Sequence, residues 1–198
     1  MALMSFRSSS ASTRGFSIVE VIITMAIITI LTTLVMIRYG AFNSSVLLKN
    51  QAFEMALDIR DAQVRAVSVR SDGNQFREEY GIYVNSSLAT DQQYIFWQDN
   101  GATFPPAYNI GEEIGDPFSL DNRFYIDEVY VNCSDPDYSS CASTPSVSLS
   151  FARPNFDATL RINDGSVVDS IHIVIAPVND PSATRAVYVT STGLITVQ

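Results

Sequence analysis

The order of apolar and polar residues divides the chain into three stretches. From Ile18 to Ile37 every residue is apolar or Thr except Glu20. Those 20 residues, at ~1.5 Å each, predict a helix about as long as the roughly 30 Å hydrocarbon core of a bilayer. A soluble core helix rarely stays apolar around its whole circumference. Thr24, Thr29, Thr32 and Thr33 fit such a span if their hydroxyls bond back to carbonyls one turn earlier. Beyond Arg38 the pattern turns amphipathic. Leu48, Ala52, Met55, Ile59, Ala62, Ala66 and Val69 recur at three- and four-residue steps and mark one helical stripe. Tyr39 to Ser45, with Gly40 and two serines, weakens the helix just past the span, and Ser71-Asp72-Gly73-Asn74 ends it. Asp61 and Arg65 form a four-residue acid-to-base pair.

After Asp72 the pattern predicts short strands. The candidates are 80–84, 94–97, 124–132, 146–151, 158–162, 171–176, 186–190 and 194–197. Val147, Leu149 and Phe151 alternate with serines, which predicts a half-exposed strand, whereas Ile171, Ile173 and Ile175 predict a more buried one. Ser191-Thr192-Gly193 suits a three-residue hairpin with glycine in the left-handed region. Residues 98–122 form a long loop whose Phe104, Tyr108 and Phe118 are expected to anchor it to the sheet, the alternative being contact with a partner.

Charge sharpens this division. From Asp72 onward the chain holds 17 Asp/Glu against 5 Lys/Arg, a net of −12. So acidic a surface repels phosphate backbones and disfavours nucleic acid as a partner. Residues 1–15 hold Arg7 and Arg14 and no acid. Positive charge before the span predicts a cytoplasmic N-terminus and everything after Arg38 outside. A cleavable secretory signal needs a shorter apolar region ending at a small-residue site, and a plain signal anchor gives no reason for Glu20. A carboxylate costs roughly 2.5–3.5 kcal/mol at mid-bilayer and less near the interface, so it calls for a partner.

The residues Gly15-Phe16-Ser17-Ile18-Val19-Glu20, between a basic leader and a membrane-length span, resemble the processing site of type IV prepilins and pseudopilins. The resemblance covers roughly Arg14 to Arg70. It implies that a prepilin peptidase cuts between Gly15 and Phe16, that Phe16 is N-methylated, and that Glu20 serves assembly. The new α-amine has an ordinary pKa of about 7.7–8.0 and stays mostly cationic at neutral pH. Glu20 of one subunit then neutralises the Phe16 amine of its neighbour and fixes axial register. The resemblance further implies other pilin or pseudopilin subunits, the peptidase, an inner-membrane assembly platform and the lipid bilayer as partners, with no cofactor. The implied place is the cytoplasmic membrane, then a pilus or pseudopilus. Many members carry a proline where this chain has Ile37.

The expected architecture is α+β, with a long N-terminal helix on an antiparallel β-sheet head, the pilin fold. Its parts are a leader at 1–15, a transmembrane and filament-core helix at 16–38, an amphipathic continuation at 39–71 and an extracytoplasmic head at 72–198. Tyr80 to Val84 after the helix, with the terminal hairpin, resembles the minor pseudopilin GspH group. A membrane-anchored binding or adhesive domain that never polymerises and a DNA-uptake minor pilin are the alternatives.

Enzymatic signals are weak. The single histidine, His172, sits in an apolar strand and reads as structural. No nucleophile elbow, phosphate loop or zinc-spacing motif occurs. Glu78-Glu79, Glu112-Glu113 and Asp127-Glu128 are chain neighbours, and because neighbours on a strand point to opposite faces they form no acid/base pair automatically. Cys133 and Cys141, eight positions apart in a Pro/Ser/Asp loop, read as a disulfide outside the cytoplasm. Asp135 and Asp137 between them could hold Ca²⁺ through oxygen ligands, but two acids are few for a site and the favoured reading is a solvated turn.

Overall fold

The computed structural model describes residues 15–68, 79–86, 92–99, 107–133 and 138–198, with the backbone alone over 37–43. The chain is α+β. One helix, α1 (Ile18–Val67), is followed by eleven strands: β1 (Tyr80–Asn85), β2 (Gln93–Gln98), β3 (Phe118–Ser119), β4 (Phe124–Val131), β5 (Ala142–Thr144), β6 (Ser146–Phe151), β7 (Ala158–Ile162), β8 (Val167–Val168), β9 (Ser170–Pro177), β10 (Arg185–Thr190) and β11 (Ile195–Val197). Two compact units result, residues 1–43 and 44–198.

The first unit holds the span. The Val21 amide donates to the Ser17 carbonyl (3.2 Å), opening the helix just after Ser17. All four span threonines bond back as their spacing predicts. Thr24 donates to the Val21 carbonyl (2.9 Å), Thr29 to Met25 (2.8 Å), Thr33 to Thr29 (2.8 Å), and Thr32 to Ile28. The helix runs unbroken through 39–45, where the sequence predicts a weakening. A single interior glycine costs only about 1 kcal/mol against alanine, less than a long helix needs to break. Positions 71–74, where the sequence ends the helix, lie outside the described residues.

In the second unit the expected single sheet is two antiparallel sheets. One has the order β3-β2-β1-β6-β7-β8 and the other β11-β10-β9-β4-β5. Their inner faces and the α1 stripe share one core, and Leu48, Ala52, Met55, Ile59, Ala62 and Ala66 are all buried in it. Val69, the stripe's last predicted member, lies outside the described residues. Asp61 and Arg65 pair at 2.7 Å.

Three departures have identifiable causes. Every residue of β6 is buried, serines included, because β6 is central, between β1 and β7, and its hydroxyls are used. Ser150 donates to Glu79 (2.8 Å) and Ser148 accepts from the Tyr108 amide (3.2 Å). Within β4 the register shifts between Ile126 and Val129, a bulge that lets both face the core despite their odd spacing. The described part of the 98–122 loop lies along the first sheet. There β3 pairs with β2, the Ile114 amide donates to the Phe96 carbonyl (2.8 Å) and the Gln98 amide to that of Glu112 (3.0 Å). Tyr108 stacks on Tyr83 (centroids 4.5 Å apart) and Phe118 on Tyr94 (5.4 Å), the predicted anchoring. Phe104 lies outside the described residues.

Two glycines are sterically required. A Cβ on Gly81 would strike the Leu149 carbonyl and the Trp97 ring, its cross-strand partner. Gly193 has φ +79° in the β10–β11 turn, as the hairpin signal predicts, and a Cβ there would meet the Phe156 carbonyl.

Candidate functional site

Gly15, Phe16 and Ser17 precede the helix without regular structure, and all three are exposed. Among the described residues nothing lies within 4 Å of where a Cβ on Gly15 would sit, and its φ lies outside the left-handed region. The fold therefore gives no reason for glycine at that position. Glu20 is exposed in the first turn of α1. Ser17 is followed three residues later by Glu20, which is the S-x-x-E spacing of a capping box. The positive end of the helix dipole also favours a carboxylate there. Glu20 thus stands at a position that suits a carboxylate by spacing and dipole alone.

Ile18–Met36 is long and apolar enough to cross a membrane, and none of it is buried by the rest of the chain. Its isoleucines, leucines and methionines present apolar surface on every side. Such a helix either lies in lipid or lies against other apolar helices, because water would leave all of that surface hydrated unfavourably.

In the head, Cys133 and Cys141 form the predicted disulfide, with Cα atoms 5.3 Å apart. Residues 134–137, including Asp135 and Asp137, lie outside the described residues. His172 is buried, stacks on Tyr188 (4.4 Å) and meets Tyr138 edge-on (5.2 Å), while Tyr138 stacks on Tyr130 (4.8 Å). Burial pulls its imidazole below the ordinary value and its Nδ1 has no hydrogen-bond partner among the described residues. His172 is therefore held by packing rather than by hydrogen bonds at Nδ1.

Two polar positions on α1 escaped sequence reasoning. The Gln63 amide donates to the carbonyls of Phe156 (2.8 Å) and Gly193 (3.1 Å), tying the helix to the terminal hairpin. Asp58 accepts a hydrogen bond from the buried Tyr94 hydroxyl. Burial holds Asp58 above the usual carboxylate range, the Tyr94 bond opposes that, and Glu54 and Asp61 add to it. A polar residue flanking a buried stripe is the available signal, since buried polar groups find partners. The partners themselves, 130 and 36 positions away, leave no local trace.

The model of the prokaryotic N-terminal methylation motif matches residues 10–36. That match supports the type IV pilin and pseudopilin family, and with it a precursor processed by prepilin peptidase. The motif is a structural one and names no enzyme class. No curated protein matches the chain, and no solved structure does.

Proposed function

We propose that the protein is a structural subunit, a minor pilin or pseudopilin, of a type IV pilus or a type II secretion-like filament. It is inserted with its N-terminus in the cytoplasm, cut between Gly15 and Phe16, methylated on Phe16, and packed through Ile18 to Ile37. Its head stands outside the cytoplasm, where a disulfide persists. The observation that carries the reading is a span exposed on every side, interrupted by one carboxylate and preceded by a glycine the fold does not require. In the assembled state Glu20 of one subunit neutralises the Phe16 amine of another, and the charge pair sets the stagger between helices. The GspH-like assignment rests on the β pattern and the terminal hairpin alone.

The test uses cells with a working prepilin peptidase and compares wild type with Glu20→Gln and Glu20→Ala. Glutamine keeps the capping-box residue type and removes the charge, while alanine removes both. Incorporation into sheared filaments is expected to fall in both variants, with membrane insertion intact. Incorporation that survives Glu20→Gln and falls only with alanine would reduce Glu20 to a cap. Mass spectrometry of the mature chain should find Phe16 as its first residue. An uncut N-terminus would favour a membrane-anchored head that does not polymerise.

A further inference from the structure

The face of α1 turned away from the core carries a second apolar stripe. Val46, Phe53, Leu57 and Val64 are exposed there, at seven- and four-residue steps that keep them on one side of the helix. Charge is sorted to either side of this stripe. Glu54, Asp58, Asp61 and Arg65, also at three- and four-residue steps, form the flank beside β2, where Asp58 accepts from Tyr94 and the Arg65 guanidinium lies over Phe96 (5.2 Å). Lys49 and Arg60, about three turns apart, stand on the opposite flank.

Between that flank and β11, an edge strand of the second sheet, lies a notch of about 130 Å³. It is lined by Phe53, Ala56, Leu57 and Arg60 on α1 and by Ile195 and Val197 on β11. A cavity of ~150 Å³ holds benzene, so the notch takes one aliphatic side chain and little more. Its one charged member, Arg60, forms no salt bridge among the described residues. The Lys49 ammonium lies 5.7 Å from the centre of the Phe53 ring and adds a second cation beside the notch.

Elsewhere in the same unit one side chain has the matching form. Ile110 is 95% exposed, more than any other large apolar residue described. It is the second residue of a turn closed by the Glu112 amide donating to the Asn109 carbonyl (3.2 Å), with Gly111 at φ +101°, the pattern of a type II turn. The turn is braced. The Asn109 amide donates to the Glu112 carboxylate (2.9 Å), and the Gly111 amide (2.8 Å) and Tyr108 hydroxyl (2.6 Å) donate to that of Glu113. The Tyr108 bond holds the Glu113 carboxyl below the usual range, so this exposed group stays charged at neutral pH. Residues 98–122 contain five acids (Asp99, Glu112, Glu113, Asp116 and Asp121) and no Lys or Arg.

A rigid aliphatic knob set among acids and an apolar notch set among cations complement each other in shape and charge. Ile110, almost wholly exposed, does not fill the notch of its own chain. We propose that Ile110 of one copy seats in the α1–β11 notch of a second copy, with Lys49 and Arg60 facing the acids of the 109–116 segment. The two surfaces differ, so the contact is heterologous and passes from copy to copy instead of closing as a two-fold dimer. It uses residues after Ser44 alone and stands without the charge pairing at Glu20.

Lys49 is the chain's single lysine, which makes a zero-length carbodiimide cross-link the direct test, since it joins an amine only to a carboxylate in contact with it. The experiment treats the full processed chain in detergent micelles, as an equal mixture of unlabelled and isotope-labelled copies. Mass spectrometry is expected to find Lys49 joined to Glu113 or Asp116 in peptides of mixed label. Ile110→Ser should lower that yield roughly tenfold, the burial of one aliphatic side chain being lost, and Arg60→Glu should lower it several-fold. Val178→Ser, which removes an exposed apolar side chain on another turn, should leave it unchanged, as should Glu20→Ala, which separates this contact from assembly through the span. Links confined to one label, links from Lys49 spread evenly over other exposed acids, or a yield indifferent to Ile110→Ser and Arg60→Glu would each overturn the proposal. The same reaction in whole cells should again join two copies; Lys49 joined there to a different protein and to no second copy would give the notch to another partner and overturn it as well.

Discussion

The two halves of α1 use apolar residues in opposite ways. Between Ile18 and Met36 no residue is buried. Between Ser44 and Val67 six residues of one stripe are at most 2% exposed, while Phe53, Leu57 and Val64 stand out to solvent. Both halves are helical and both are rich in aliphatic side chains. What separates them is period: apolar residues around the whole circumference leave the choice of partner to the surroundings, and a three-four repeat assigns one face to the chain's own core. The head-bearing half therefore draws its stability from within the molecule. The span draws its from lipid or from other apolar helices.

The sharpest way to break this comparison is a matched pair of truncations. Ile59→Ala removes a fully buried side chain and should lower head stability by about 2–5 kcal/mol. Ile27→Ala removes an exposed one of the same type and should leave the melting of the head unchanged within about 0.5 kcal/mol. Circular dichroism in the near-ultraviolet, which reports the head aromatics, reads both. An equal loss in the two variants would mean that the span contributes to the folding of the head.

Next in size is the disulfide. The Cys133→Ser, Cys141→Ser double variant should cost the head about 2–3 kcal/mol, the loop being short, and should not alter membrane insertion. Tyr138, inside the closed loop, packs on Tyr130 and His172, so part of the loss should appear as weakened aromatic dichroism. If insertion fails along with head stability, the two regions are coupled in a way the division into halves does not allow.

The elements that local pattern specifies were legible in the sequence. The span, its threonines, the buried helical stripe, the strands at 146–151 and 170–177 and the Gly193 hairpin all follow from period and turn chemistry within a few residues. Features decided by distant partners were not. Alternating serines in β6 suggest a solvent face, yet a central strand under a docked loop buries both faces, and nothing within 146–151 announces its neighbours. The β4 bulge is visible only once Ile126 and Val129 are both seen facing inward. Of the N-terminal segment, the residue types and spacing were plain, and among the described residues nothing gives glycine at 15 a steric purpose.

A smaller effect sharpens the view of the head-bearing half. Burial raises the Asp58 carboxyl above its ordinary value despite the Tyr94 bond, with Glu54 and Asp61 contributing. The folded state therefore binds this proton more tightly than the unfolded chain, and Asp58 disfavours folding once pH exceeds its folded value. Asp58→Asn keeps an acceptor for the Tyr94 hydroxyl and removes the charge. Its melting temperature should exceed that of wild type at pH 7, and the advantage should shrink as pH falls toward 4. A lower melting temperature at pH 7 would show that the charged hydrogen bond outweighs desolvation.

The smallest effect has the opposite pH sign and belongs to the second sheet alone. His172 is buried between Tyr188 and Tyr138, with Tyr130 beyond, and burial lowers its imidazole below the ordinary value of about 6.5. The unfolded chain therefore takes up a proton before the folded head does. The contribution of neutral His172 is complete above about pH 6.5 and is lost progressively as pH falls toward the folded value. Because Nδ1 has no partner among the described residues, His172→Phe sacrifices no hydrogen bond seen at that atom and preserves stacking on Tyr188. The variant and wild type should melt close together at pH 7.5, with wild type falling behind as pH drops from 6.5 to 5. Parallel curves across that range would mean that the folded head accommodates the imidazolium, by opening the contact with Tyr138 on the disulfide loop.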